Sequence, residues 1–178
     1  MCIRDRNKLE RIFMIILGID PGLAIAGYAV LEHLPPRMRL IDCGTINTKA
    51  GLPLPERLSI LYDSMEQLID MFKPDEVAFE ELFFVKNVTT GIDAAQARGA
   101  LVTAAYRKVK KLYEYTPMQV KQAVTGYGRA EKAQVQYMVK TILALNAVPK
   151  PDDAADAVAV AICHAQSRGL PRGLGAKR

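Results

Sequence analysis

Five carboxylates in this sequence are spaced so that they could share one task. Asp20 closes the apolar run that starts at Met14 and stands directly before Pro21-Gly22, and Glu80 closes a second such run that starts at Asp75. Both therefore lie at the C-terminal ends of predicted strands, and parallel neighbours in one sheet would bring them to the same edge. Asp152, Asp153 and Asp156 crowd the first turn of a predicted helix, where Asp153 and Asp156 are i,i+3 and Asp152 and Asp156 are i,i+4. Either pair shares a helix face, so spacing leaves the choice between Asp152 and Asp153 open. Singly, an Asp before Pro-Gly is an ordinary turn residue and an Asp at a helix start an ordinary cap. Jointly, with no Cys or His at metal-ligand spacing, they form an oxygen-donor set suited to magnesium or manganese. Two such ions ~4 Å apart can activate a water and stabilise the departing oxygen of a phosphodiester, with no protein nucleophile.

The charge distribution supplies a place for a polyanion. The 178 residues carry a net +5, but residues 98–150 hold ten Lys and Arg against two Glu, a local +8 that leaves −3 for the rest. A basic third is either a solvated face or a nucleic-acid surface, and the acids elsewhere are free to build a separate cation site.

Cys2, Cys43 and Cys163 form no C-x-x-C and, with His33 and His164, match no zinc spacing, which fits a reducing cytoplasm. The basic stretch before Ile12, the apolar run after it and Ala24-Ile25-Ala26 imitate a secretory leader, but Asp20-Pro21-Gly22 interrupts the pattern. The run is also far short of the ~20 residues that span a bilayer, so no membrane role is expected. Residues 1–13 read as a non-core extension with a second start at Met14, residues 14–168 as one domain, and residues 169–178 as a disordered basic tail.

The elements that must position the acids can be read from periodicity. Strands are expected at 14–20, 25–32 and 39–48, the last two separated by Pro35-Pro36. Leu58, Leu61, Met65, Leu68 and Phe72 recur at spacings of 3 and 4, which predicts a helix over 54–72 with Pro55 in its first turn and Lys73-Pro74 at its end. A strand at 75–80, an Ala-rich helix at 91–109, a strand at 112–115 and helices at 117–124, 130–145 and 152–166 follow. Three strands followed by alternating helices and strands predict an α/β fold: a mixed five-stranded sheet flanked by helices, with ligands at the strand ends.

In order along the chain, Gly18-Ile19-Asp20-Pro21-Gly22, Phe79-Glu80 with Leu82-Phe83, Gln96-Ala97-Arg98-Gly99, Gln119-Val120-Lys121-Gln122, Gly126-Tyr127-Gly128-Arg129-Ala130-Glu131-Lys132 and Asp153-Ala154-Ala155-Asp156-Ala157 resemble the RuvC family of bacterial Holliday junction resolvases, or crossover junction endodeoxyribonucleases. The likeness runs from about Met14 to Arg168. It implies a ribonuclease-H-like fold, a cytoplasmic homodimer, and magnesium-dependent paired nicking of four-way DNA junctions in recombination and repair, with two ions per site and manganese able to substitute. It also implies a branch-migration motor as partner. Carried over residue by residue, the catalytic and metal-binding carboxylates are Asp20, Glu80, Asp153 and Asp156, so the family motif selects Asp153 over Asp152. One departure is Glu81, which stands where the family usually has a neutral polar residue; strand alternation directs it away from the metals.

The expected DNA contacts are Lys121 and Lys132, with Gly128 and Arg129 in the turn before the 130–145 helix, whose N-terminal N–H groups could receive a phosphate. Phe83 matches the position of a base-stacking residue, a role aromatic rings fill at ~1–3 kcal/mol per base. The competing readings are a nuclease of the same fold that processes structured RNA and a junction-binding module without catalysis. An ATP-dependent kinase or chaperone of the actin-like superfamily is disfavoured, because that architecture needs two lobes where this length supplies one.

Overall fold

The computed structural model describes residues 13–82 and 88–167; side chains are described from Phe13 to Leu82 and from Gly91 onward. Most of the expected extension at 1–13, the stacking candidate Phe83 and the expected tail at 169–178 lie outside the described residues. The element order is β1 (Met14–Asp20), β2 (Ile25–Leu34), β3 (Arg37–Asn47), α1 (Leu54–Phe72), β4 (Glu76–Glu80), α2 (Val88–Lys108), β5 (Leu112–Tyr115), α3 (Pro117–Thr125), α4 (Lys132–Ile142) and α5 (Asp152–Ser167).

The five strands form one mixed sheet in the order β3-β2-β1-β4-β5. β1 pairs antiparallel with β2 and parallel with β4, and β4 pairs parallel with β5. This is the α/β arrangement expected from the sequence, in the ribonuclease-H-like form. Strand alternation divides the core in two. Ile15, Leu17 and Ile19 of β1, with Val77 and Phe79 of β4, pack with Leu61, Met65 and Ile69 of α1 and Leu101 of α2. Ile16 and Ala78 face the opposite side, among the residues of α5, α3 and α4. Full burial of a side chain such as Leu61 contributes ~1.5–3 kcal/mol, so the α1 stripe accounts for the docking of that helix.

α5 obeys a different rule from α1. Eleven of its residues between Ala154 and Ala165 are buried, most of them Ala or Val, so the helix is enclosed on nearly every side rather than along a stripe. Its small side chains let it approach the sheet backbone closely. A Cβ added at Gly18 would lie 2.5 Å from the Ala157 carbonyl oxygen, and one added at Gly27 only 2.0 Å from the Asp153 carbonyl oxygen.

The boundaries shift where local chemistry overrides periodicity. β2 and β3 run further into the hairpin than expected, because their ladder continues to Leu34 opposite Arg37 and leaves Pro35-Pro36 as the whole connection. The expected 130–145 helix is shorter at both ends. Glu131 occupies its N-cap, the helix ends at Ile142, and Ala144, one residue before the end of that span, adopts a left-handed φ of 49°. α1 ends as expected at Lys73, whose left-handed backbone donates its N–H to the Ile69 carbonyl at 2.8 Å. No helix among the described residues is long and apolar enough to cross a membrane.

Candidate active site

Two parallel strands and one buried helix converge on the acids. The β1–β4 ladder pairs Ile19 with Phe79, and the next residue on each strand is a carboxylate, Asp20 and Glu80. Side-chain alternation puts both on the face that carries α5, because Ile16 and Ala78, the same-parity residues of β1 and β4, lie in that layer. On its other side Asp20 pairs with Gly27 of β2. The missing side chain at Gly27 is what admits the first turn of α5, so the backbone of Asp153 rests beside Asp20. Asp156 follows one helical turn later.

The electrostatics report the same convergence. Burial, then Asp156 and Asp153, raise Asp20 from the ordinary carboxylate range to about 7, against the opposing pull of Lys132. Burial, then Asp20 and Asp156, raise Glu80 to about 8, with Lys121 and Lys132 pulling it down. Asp152 behaves differently from Asp153. It is half-exposed, is held low chiefly by its hydrogen bond from Lys150 at 3.3 Å, and is not among the charges acting on Asp20. Of the two aspartates that helical spacing leaves open, Asp153 and not Asp152 is thus among the charges that act on the β1 acid.

Lys132, the first residue of α4, donates to Asp156 at 2.8 Å and stands 3.6 Å from Asp152. The hydrogen bond with Asp156 is the leading reason its ammonium holds its proton more firmly than a free lysine. A cleft of about 200 Å³ opens beside this pair, bordered by Glu80, Asp156, Lys121 and Lys132, with Val120 and Val135 as apolar walls. A larger, more open groove of about 460 Å³ lies on the outer side of α4 between Tyr127 and Tyr137 and has no acid in its lining.

The remaining DNA-contact candidates stand in the turn before α4. Arg129 is exposed. Gly128 packs against Met118, whose Cγ would lie 2.7 Å from an added Cβ, so that glycine serves close packing. The expected phosphate-receiving helix end is modified: Glu131 takes the N-cap, its backbone N–H donates to the Gln134 Oε1 at 3.0 Å, and the Gln134 N–H is bonded in turn to the Glu131 carbonyl. A carboxylate at that end disfavours a phosphate on the helix axis, and Lys132 faces the acids instead. Glu81 is half-buried just past β4, its N–H bonded to the Tyr115 carbonyl at 2.8 Å.

Among the described residues no three acid, imidazole or thiol groups stand together in a ligating arrangement, and Asp156 bonds Lys132. The donor set nevertheless fits hard divalent ions. It consists of carboxylates alone, and two of them are raised to about 7 and about 8 by burial and then by the charge of neighbouring acids, which a nearby cation would offset. Sequence reasoning did not single out the steric part played by Gly27, because the contact joins residues 126 positions apart. Its position opposite a strand-end acid is the only local signal.

Comparison with known proteins identifies the family and the fold. Residues 16–164 match the family model for crossover junction endodeoxyribonuclease RuvC. The chain is 56% identical over 151 residues to the RuvC of Finegoldia magna, covering 85% of this chain and 92% of that one. It is 54% identical over 164 residues to that of Halothermothrix orenii, covering 92% and 99% respectively. Among solved structures it resembles Thermus thermophilus RuvC in complex with a Holliday junction substrate, with a TM-score of 0.86 at 35% identity over 90% of this chain and 99% of that one. The yeast mitochondrial Holliday junction resolvase Ydc2 shares the fold, with a TM-score of 0.63 at 12% identity.

Proposed function

This chain belongs to the RuvC family of crossover junction endodeoxyribonucleases, and from that premise we propose that it resolves four-way DNA junctions by paired nicking, using two magnesium ions held by Asp20, Glu80, Asp153 and Asp156. The observation that supports the reading is the meeting of β1, β4 and α5, where Asp153 and Asp156 lie close enough to raise Asp20, and Asp20 and Asp156 close enough to raise Glu80, with Lys121 and Lys132 opposing them. When bound, the divalent ions supply activation of the attacking water and charge stabilisation at the departing oxygen; manganese is the expected substitute. The protein's own groups do the rest. Asp20 and Glu80, raised by burial and by the neighbouring acids, would hold the ions in their ionised form, since a cation would offset that repulsion. Lys132, released from Asp156, turns its ammonium to the scissile phosphate and stabilises its developing charge. Lys121, which also borders the cleft, holds the same strand, and Arg129 extends the basic path. The expected products carry 5′-phosphate and 3′-hydroxyl ends.

Residues 14–168 form the nuclease domain in this reading. Phe83 stacks on an unpaired base at the junction centre. Because a junction is two-fold symmetric, the working unit is a homodimer with two sites. It acts in the bacterial cytoplasm with a branch-migration motor, in recombination and repair.

The test is nicking of a synthetic four-way junction beside linear duplex and structured RNA, with magnesium and with chelator, by wild type and Asp20→Asn. Paired nicks confined to the junction, dependent on magnesium and lost in the variant, are expected. Preference for structured RNA would move the function to an RNA-processing nuclease, and tight junction binding without cuts would leave a non-catalytic binding module.

A further inference from the structure

At its far end α5 is tied to the sheet by a polar cluster that takes no part in the proposed chemistry. His164 is 1% exposed and both ring nitrogens are engaged, Nδ1 lying 2.8 Å from the Tyr115 hydroxyl and Nε2 2.8 Å from a Glu76 carboxylate oxygen. The Tyr113 hydroxyl stands 3.5 Å from Glu76 and the Lys111 ammonium 3.6 Å from it. The Tyr113 ring also lies against the imidazole, with centroids 4.4 Å apart. One buried histidine therefore joins α5 to β4 and β5 at once. A buried network satisfied in this way is directional and stiff, since displacing any member leaves a desolvated polar group unpaired.

The α5 contact with β1 and β2 supplies little of that direction. Where α5 crosses β1 and β2 it rests on glycine backbone at Gly18 and Gly27 and presents Ala and Val. Such a surface sets how closely the helix approaches but offers few knobs to oppose sliding along its axis. The two acids that α5 contributes lie at its other end, and the lengths correspond. Asp156 precedes His164 by eight helical residues, ~12 Å at 1.5 Å per residue. Glu80 follows Glu76 by four strand residues, ~13 Å at 3.3 Å per residue. The strand and the helix thus act as two rods of nearly equal length, joined at Glu76–His164 and facing each other at Glu80–Asp156.

We propose that His164, through Glu76 and Tyr115, is a positioning residue for the carboxylate site: it sets the axial register of α5 on β4 and so the placement of Asp153 and Asp156 against Asp20 and Glu80. This rests on the metal-binding reading of those acids.

The experiment is a Mn2+ titration of the whole chain without DNA, followed by electron paramagnetic resonance at a temperature where circular dichroism shows every variant folded. His164→Leu, His164→Gln and Tyr115→Phe are compared with Leu61→Ala, a core substitution on the opposite face of the sheet. We expect His164→Leu to raise the half-saturating Mn2+ concentration at least tenfold. His164→Gln, able to keep one tie, and Tyr115→Phe should raise it two- to fivefold. Leu61→Ala should lower the melting temperature while leaving the Mn2+ midpoint within twofold of wild type. Should His164→Leu fail to fold, the two milder variants carry the test. Wild-type midpoints in the His164 and Tyr115 variants, or an equal rise in Leu61→Ala, would overturn the positioning role while leaving the metal site standing. A wild-type chain that binds no Mn2+ would overturn both.

Discussion

β4 carries two glutamates on one face, and they meet opposite fates. Glu76, at the start of the strand, is buried against His164, with the hydroxyl of Tyr113 and the ammonium of Lys111 close by. Glu80, at its end, is raised to about 8 because burial and two neighbouring aspartates oppose its charge. The same residue type, in the same strand and against the same helix, is satisfied at one end and frustrated at the other. Side-chain identity does not make a site; the sign of what faces it does. An unsatisfied cluster of like charges persists only where something from outside relieves it, which is how a binding site differs physically from a structural ion pair.

The contrast is broken most severely by neutralising the frustrated end. Asp20→Asn removes a ligand charge with little change of shape, so junction cleavage should fall by about a thousandfold or more, ~4 kcal/mol in the barrier. Junction binding should stay within a few-fold in a gel-shift titration. Cleavage at the wild-type rate would remove Asp20 from the site.

Substitution at the satisfied end should have the opposite balance. Glu76→Ala leaves His164 and the Tyr113 hydroxyl short of a buried partner and should cost about 2–4 kcal/mol in urea unfolding. Glu80→Gln should stabilise the metal-free protein by on the order of 1–2 kcal/mol, because it deletes a charge that folding disfavours. If both substitutions destabilise alike, the two glutamates are not the different things described above.

The third consequence is a pH dependence whose sign is fixed by the raised acids. Asp20 and Glu80 have folded-state values of about 7 and about 8, above their unfolded values of 3.8 and 4.5. Between about pH 4 and pH 8 the folded state therefore binds more protons than the unfolded one, and stability falls as pH rises through that window. Both groups contribute with the same sign, so the loss amounts to several kcal/mol for the coupled pair. Melting curves of the metal-free protein should show it, and added magnesium should raise the melting temperature more at pH 8 than at pH 5.5. A flat metal-free profile would contradict the coupling among these acids.

The smallest effect concerns Lys132. Lys132→Ala should weaken junction binding and reduce the salt slope by about 1 if the ammonium turns to a phosphate. An unchanged slope would leave Lys132 as the counter-ion of Asp156 alone.

What could be read in the sequence was whatever depends on neighbours along the chain. The β1 run, the α1 stripe with its Pro55 start and Lys73-Pro74 end, and the strand-end positions of Asp20 and Glu80 all follow from local periodicity and turn chemistry. Helical spacing brought Asp153 and Asp156 to one face yet could not separate Asp153 from Asp152, since that choice depends on which of them acts on Asp20, far away in sequence. His164 and Glu76 are 88 residues apart, and neither stands in a local pattern that announces the other. The ends of α4 were misjudged because an apolar period says nothing about Glu131 as a cap or about the left-handed backbone at Ala144.

Gly27 carries one further consequence. With the Asp153 carbonyl where a Cβ would otherwise sit, the separation of β2 from the first turn of α5 is bounded by main-chain atoms on both sides. No rotamer can take up slack there, and no larger residue can act as a shim. The approach of α5 to β2 is therefore set by the contact of main-chain atoms, like parts resting against a gauge block, while its axial register is set elsewhere. Natural drift or laboratory redesign can retune the charges around the cleft, but at this position the only side chain that keeps the dimension is a hydrogen atom.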